Sequence, residues 1–306
     1  MNEVYRINAW RVYQSVGGYT IQNIDKNIEC RWSRVTQRFS FRLNSFRVPI
    51  SVERFIKTRE GLLPTIQLEE TLNLSSRTYG IEIECFHKTD DDIRNKVRQA
   101  LQNVGIPCQY LGYTHTVTSS WKIVTDSSIR GGIGLEVVSP ILKGEEGLEQ
   151  IRKVTKVLNE LGCRVNRSTG LHVHHGAQGF SQEKIKKVFK LYRENEQLFD
   201  SLVAPSRRGD TNQYCMSLRN HLELPDTRYT KVNYKSYAKY GTLEVRHHQG
   251  TLNAEKIINW IKLTQRVIER AEAYERSFQN LEEMIRFMGL REIENWFLER
   301  AEELSA

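Results

Sequence analysis

The chain has 306 residues, of which 39% are apolar and 27% charged. That is the balance of a globular protein, with length for one large domain plus an appendage or for two modest domains. No apolar run is long enough to span a bilayer, the stretch from Met1 to Trp10 lacks a signal-peptide hydrophobic region, and the net charge of +8 favours acidic partners, though no aromatic-basic signature points to nucleic acid.

Residues 1–75 differ from the rest. They scatter aromatics (Trp10, Tyr13, Tyr19, Trp32, Phe39, Phe41, Phe46) among arginines (Arg31, Arg34, Arg38, Arg42, Arg47). Arg38-Phe39-Ser40-Phe41-Arg42 alternates with period two, as a half-buried strand does, and Gly17-Gly18 marks a turn. We expect a small β-rich accessory segment, with a boundary near Asn73 to Thr78, and a second domain over residues 76–306.

Gly80-Ile81-Glu82-Ile83-Glu84 then reads as a short strand. Side chains alternate across a strand, so Ile81 and Ile83 face a core while Glu82 and Glu84 stand side by side on the other face. Two such carboxylates repel each other unless a cation or solvent screens them. Asp90, Asp91 and Asp92 crowd a helix start, where the dipole favours acids. Ile93, Val97, Ala100, Leu101 and Val104 form its apolar stripe and Gly105 its stop. Strands are expected over Pro107 to Tyr113, Trp121 to Thr125 and Leu135 to Ser139, with the polar turn Asp126-Ser127-Ser128 and Gly131-Gly132 between the last two. A helix from about Glu145 to Leu161 ends at Gly162. Gly170-Leu171-His172-Val173-His174 is a strand. Ser181 caps a long helix to about Leu202. Ala204 to Tyr240 is polar and without periodicity, as functional loops are. Thr242 to His248 is the last strand, and helices over about Ala254 to Tyr274 and from Asn280 onward follow. Partly consecutive strands favour a mixed or antiparallel sheet with helices on one side.

Four of these strands carry polar clusters that a plain core does not need. Glu82 and Glu84 lie on the first, Glu136 on the second, His172 and His174 on the third. Glu244, Arg246 and His248 share one face of the fourth, with Val245 and His247 opposite. Taken singly, a Glu-x-Glu is often a solvated face and a Glu-x-Arg a surface ion pair worth little. Their recurrence on short strands with apolar backs points to a shared cation site. Glutamate oxygens plus imidazole, without a thiolate cluster, suit Mg²⁺ or Mn²⁺ better than Zn²⁺. Such ions beside an arginine form a polyphosphate site. No P-loop and no GxGxxG fingerprint is present, so a nucleotide would be held through metals and arginine. Cys30, Cys85, Cys108, Cys163 and Cys215 are odd in number, widely spaced and without a CxxC pair, which argues for a reducing, cytoplasmic setting.

The ordered set Gly80-Ile-Glu-Ile-Glu84, Asp126-Ser-Ser128, Gly134-Leu-Glu-Val-Val-Ser-Pro140, Gly170-Leu-His-Val-His174, Arg228 through Asn233 and Gly241-Thr-Leu-Glu-Val-Arg-His-His248 resembles the amidoligase family. This family lies in the carboxylate–amine ligase superfamily, with glutamine synthetase and glutamate–cysteine ligase. The resemblance runs from about Thr78 to Tyr274 and leaves out the first 75 residues. It implies an α+β fold, with a curved, mainly antiparallel sheet lining the active site and helices behind it. It implies ATP, two or three Mg²⁺ or Mn²⁺ ions, and amide or peptide bond formation through an acyl phosphate. Residue by residue, Glu82 and Glu84 would be ligands to different metals, Glu136 would complete one site, and His172 would be a ligand with His174 nearer the phosphates. Glu244 would bind another metal and Arg246 the transferred phosphate. Asp126 would position the amine, and Arg228, Lys231 and Asn233 would hold phosphate or the carboxylate substrate. His175, His247 and His248 stay unassigned. The carboxylate and amine substrates remain open, with a peptide, a protein or a cell-wall fragment as candidates. The alternatives are a metal-dependent phosphohydrolase or kinase on the same site, and a non-catalytic binding protein on a degenerate ligase fold.

Overall fold

A computed structural model of the chain describes residues 2–7, 10–24, 28–41, 48, 50–60 and 74–305. Arg42, Phe46, Arg47 and Asn73 lie outside the described residues. The chain forms two compact units, Met1–Thr71 with Glu292–Glu303, and Leu72–Arg291 with Leu304–Ala306.

In the first unit, β1 (Asn2–Ile7), β2 (Trp10–Ser15), β3 (Gly18–Asn23), β4 (Ile28–Ser33) and β5 (Phe39–Phe41) pair in chain order, all antiparallel. The Gly17-Gly18 turn and the alternating strand at residue 39 are where the sequence pattern puts them. Val12, Ile21, Cys30 and Trp32 face one core, which α1 (Ile50–Arg59) closes with Val52 and Ile56. Residues four apart share a helix face, so these two meet the same sheet. This helix was not anticipated in a segment read only as β-rich. Glu60 anchors the turn after it, accepting from Tyr19 Oη and Arg34 Nε, each at 2.7 Å.

The second unit begins with β6 (Thr78–His87), α2 (Ile93–Asn103), β7 (Cys108–Gly112), β8 (Trp121–Val124), β9 (Ile133–Val138) and β10 (Leu142–Lys143). Next come α3 (Gly144–Glu160), β11 (Gly170–Gly176), α4 (Gln182–Glu194) and α5 (Glu196–Asp200). It continues with β12 (Val232–Asn233), α6 (Ser236–Tyr240), β13 (Thr242–Gln249), α7 (Ala254–Arg270) and α8 (Leu281–Phe287). A last helix, α9 (Glu294–Glu303), belongs to the first unit. The sheet runs β12-β13-β11-β6-β9-β8-β7, with β10 added to β6. It is open, and only the β7–β8 pair is parallel. The α+β architecture is therefore the expected one.

One face of this sheet is apolar. Ile81 and Ile83 of β6, Leu135 and Val137 of β9, Val173 of β11 and Val245 of β13 are buried. Each such side chain contributes about 1.5–3 kcal/mol on burial. Helices cover this face: Trp121 Nε1 donates to Gln150 of α3, and His175 contacts Thr264 of α7.

The expected helix from Ser181 to Leu202 is broken in two. Asn195 sits between α4 and α5 with ψ 14°. Its amide donates to Leu191 O and Tyr274 Oη, and its carbonyl accepts from Phe278 N. A side chain that offers such local bonds competes with the helix ladder. The expected helix from Asn280 onward also breaks, at Gly289, whose φ of 69° ends α8. The α7 helix stops at Arg270, followed by a 3₁₀ turn over Ala271–Ala273. Ser181 does cap α4, accepting from Lys184 N at 3.1 Å. Ser181→Ala is expected to lower unfolding free energy by about 1 kcal/mol, read as a shift in urea midpoint at unchanged slope. No helix among the described residues is long and apolar enough to cross a membrane. All five cysteines are buried thiols.

Candidate active site

Strand register assembles the polar face. In an antiparallel ladder, residues directly opposite share a face. Glu82 lies opposite His172 on one side and Val138 on the other, and Val138 lies opposite Lys122. Glu84 pairs with Glu136. His174 pairs with Glu244, and Glu244 with Asn233. One strip across six strands therefore gathers four carboxylates, two imidazoles, a lysine and an amide. The strip floors a cleft of about 1180 Å³. That exceeds the usual range of about 300–1,000 Å³ for small-ligand pockets.

Glu82 is the hub. Its Oε2 accepts from His172 Nδ1 at 2.9 Å and its Oε1 lies 3.3 Å from His174 Nε2. Glu244 Oε1 is 3.8 Å from His172 Nδ1 and 3.9 Å from His174 Nε2. Two sets of three side chains each bring a ligand atom within 4.8 Å of the others: Glu82, Glu136 and His172, and Glu82, His174 and Glu244. Glu84 stands outside both. Its Oε2 accepts from Gly170 N at 2.6 Å and its Oε1 is 3.6 Å from His172 Nε2.

The electrostatics are those of a crowded acid cluster. Burial opposes charge on Glu82, but hydrogen bonds from His172 and His174 hold its carboxyl well below the usual range. Burial raises Glu136 well above that range, and the charges of Glu82 and Glu84 raise it further. Burial also opposes charge on Glu244, where Arg246 prevails and lowers it. His174 is raised by Glu244 and Glu82 against its desolvation. A dication between the glutamates is the arrangement that relieves their repulsion. The donors are hard oxygens with one imidazole in each set, which fits Mg²⁺ or Mn²⁺.

The other expected residues divide. Arg246 bonds Glu244 Oε1 through Nη1 and lines the cleft, while Asn233 Nδ2 donates to Glu244 Oε2 at 2.6 Å. Asp126 lines the cleft too, with Oδ1 accepting from Ser128 N at 2.6 Å. Arg228 reaches the rim, its guanidinium 5.0 Å above the Tyr229 ring. Lys231 is not brought to the cleft. It is fully buried, with Nζ 2.8 Å from Glu196 Oε1 and 2.6 Å from Asp200 Oδ1. Asp200 also meets His247 Nε2 at 2.7 Å, and its hydrogen bonds with His247 and Lys231 hold its carboxyl down to about 2 against burial. Breaking a buried ion pair from one side leaves a desolvated charge. Lys231→Met is therefore expected to lose about 3–5 kcal/mol of stability. Removing Glu196 as well, in Lys231→Met/Glu196→Gln, should recover part of it in denaturant titrations.

His248 does not share a face with Glu244 and Arg246. The β11–β13 register shifts between Leu171/His248 and Val173/Val245, so two residues of β13 oppose the single His172. Such a bulge reverses the alternation beyond it. His248 therefore joins His247 on the helix side, each ring packing against Trp260 of α7. His175 is buried on that side as well, 2.7 Å from Thr264 Oγ1.

Two buried cations of the cleft escaped the sequence reading. Lys122 is 4% exposed on β8, and burial lowers its pKa despite the nearby charges of Glu82 and Glu136. A lysine inside the apolar run Trp121 to Val124 was the available signal. Arg207 is 3% exposed in the irregular region after α5, where no periodicity marks a facing side chain.

A family model described as "Putative amidoligase enzyme" matches residues 75–224 and 220–268. No curated protein matches. Similar solved structures include a novel glutamine synthase homolog, at 12% identity and TM-score 0.40, covering 75% of this chain and 66% of that one. Plasmodium falciparum glutamine synthetase is 7% identical, with TM-score 0.43 and coverage of 87% and 62%. The complex between Prokaryotic Ubiquitin-like Protein Pup and its ligase PafA is 12% identical, with TM-score 0.33 and coverage of 73% and 52%. The chain thus spans less than two thirds of the length of each of these structures. The family match takes in well over half of the chain and every strand that floors the cleft, from β6 to β13, and the chain belongs to the amidoligase family.

Proposed function

We propose that the protein is an ATP-dependent carboxylate–amine ligase that forms an amide or peptide bond through an acyl phosphate. The observation that carries this reading is the pair of glutamate–histidine sets sharing Glu82, beside Arg246 on the floor of one cleft. A carboxylate is a poor electrophile, and the γ-phosphoryl group of ATP would convert it into one with a good leaving group. Magnesium or manganese, when bound, supplies charge neutralisation on the triphosphate. Glu82, Glu136, His172, His174 and Glu244 would hold the ions. Glu84 would fix the Gly170 backbone and orient His172. Arg246 would offset charge developing on the transferred phosphoryl group. Asp126 would position the amine, with Arg228 and Asn233 toward phosphate or the acid. Catalysis falls to the second unit, and residues 1–75 are assigned an accessory role. Five buried thiols fit a cytoplasmic setting. The test is ADP release from ATP and Mg²⁺ with pools of acids, amines and peptides. A ligase needs both a carboxylate and an amine. Release with water alone makes the protein a phosphohydrolase and ends the reading.

A further inference from the structure

Arg207 differs from Lys231 and Arg246, and from Lys122, whose Nζ donates to the Thr116 carbonyl and which feels the charges of Glu82 and Glu136. Lys231 has two carboxylate partners and Arg246 has one. Arg207 lines the cleft at 3% exposure, yet among the described residues no carboxylate forms an ion pair with it. Its Nη2 donates to the Thr169 carbonyl at 2.6 Å, its Nη1 has only Cys215 Sγ at 3.8 Å, and its Nε has no partner. A carbonyl and a sulfur are poor compensation for a desolvated guanidinium, and proteins seldom bury a charge without a counter-charge. The backbone beside it is kept bare. A Cβ on Gly170 would stand 3.1 Å from Arg207 Nη2 and 3.0 Å from His172 Nε2, so glycine lets the guanidinium and the candidate metal ligand both approach the backbone closely.

We propose that Arg207 is the carboxylate anchor of the cleft, holding a carboxylate of the substrate against its cleft-facing guanidinium. Resting on the ligase reading, this inference specifies which residue meets the acid. A guanidinium is the side chain suited to a planar carboxylate fork. One uncompensated positive charge, with one nitrogen already committed to a carbonyl, balances a monoanion better than a phosphate dianion. A carboxylate and a phosphate both offer oxyanions, so the experiment separates them.

The probes are glutarate, its neutral diamide and inorganic phosphate. Each is titrated against the full-length protein with Mg²⁺ and no nucleotide, read by calorimetry and melting temperature. Glutarate is expected to bind and raise the melting temperature, and the diamide to do neither. Arg207→Lys keeps the charge but loses the fork, and should weaken glutarate by about tenfold or more. Arg207→Met should abolish glutarate binding without lowering the ligand-free melting temperature, because it removes an uncompensated charge. Failure of the wild-type protein to bind glutarate overturns the proposal, as does stronger binding of phosphate or unchanged affinity in Arg207→Lys. If Arg207→Met does not fold, the lysine variant decides alone. None of these readouts uses ATP turnover, so they stand or fall apart from the ADP-release test.

Discussion

Replacing Arg246 by alanine is expected to lower ADP release about a thousandfold or more while the protein stays folded. Arg246 has no role in the apolar core. It projects from β13 into the cleft, bonded to Glu244 Oε1 and 3.3 Å from the Tyr214 carbonyl through Nε. The charges of Glu244 and Glu82 outweigh burial and raise its pKa, so it remains a cation at any working pH. A fixed cation aimed at a phosphoryl group acts most when charge spreads over the equatorial oxygens. Its loss should therefore fall on kcat, with a smaller change in the KM for ATP. Arg246→Lys retains charge without the planar fork and should sit between the two. Near-wild-type turnover in Arg246→Ala, with melting unchanged, would remove this residue from the phosphate site.

The contrast between Arg246 and Arg207 shows what a sequence discloses about such a site. Arg246 was legible because it sits two residues from Glu244 on an apolar-backed strand. Period-two alternation converts that spacing directly into a shared face. The same rule placed Glu82, Glu84, Glu136, His172 and His174 on one surface before any register was known. Register then added what alternation cannot carry: which carboxylate faces which imidazole. The rule failed at His248 because one extra residue in β13 reverses the faces, and nothing in Arg246-His247-His248 announces a bulge. Lys231 was assigned through the family resemblance and not by alternation, and its side chain leaves the strip to reach Glu196 and Asp200 of α5. Long-range ion pairs have no local signature. Arg207 lies in a region of no period, so only its burial against Thr169 and Cys215 singles it out. Helix ends behaved likewise: Ser181 was visible as a cap, whereas the break at Asn195 depends on Phe278 and Tyr274, about eighty residues away.

Glu82→Gln is expected to remove both divalent-ion sites in one step. Glu82 contributes to each of the two ligand sets, whereas Glu136 and His172 serve one and His174 and Glu244 the other. Glutamine keeps the shape and can still meet an imidazole, so the fold should survive, but it offers a neutral oxygen to a cation. Calorimetric titration of the wild-type protein with Mn²⁺ should resolve two ions. Glu136→Gln and Glu244→Gln should each weaken one of them, and Glu82→Gln should weaken both by at least about a hundredfold, near 2.7 kcal/mol apiece. Loss of one charge should also relieve Glu136, whose carboxyl is raised partly by the Glu82 charge. The melting temperature of metal-free Glu82→Gln should therefore stay close to that of the parent, although the ion sites are gone. If Glu82→Gln keeps one ion at full affinity, the two sets do not share it. Glu84, with Oε1 facing His172, would then be the ligand of the retained ion, restoring one glutamate per metal.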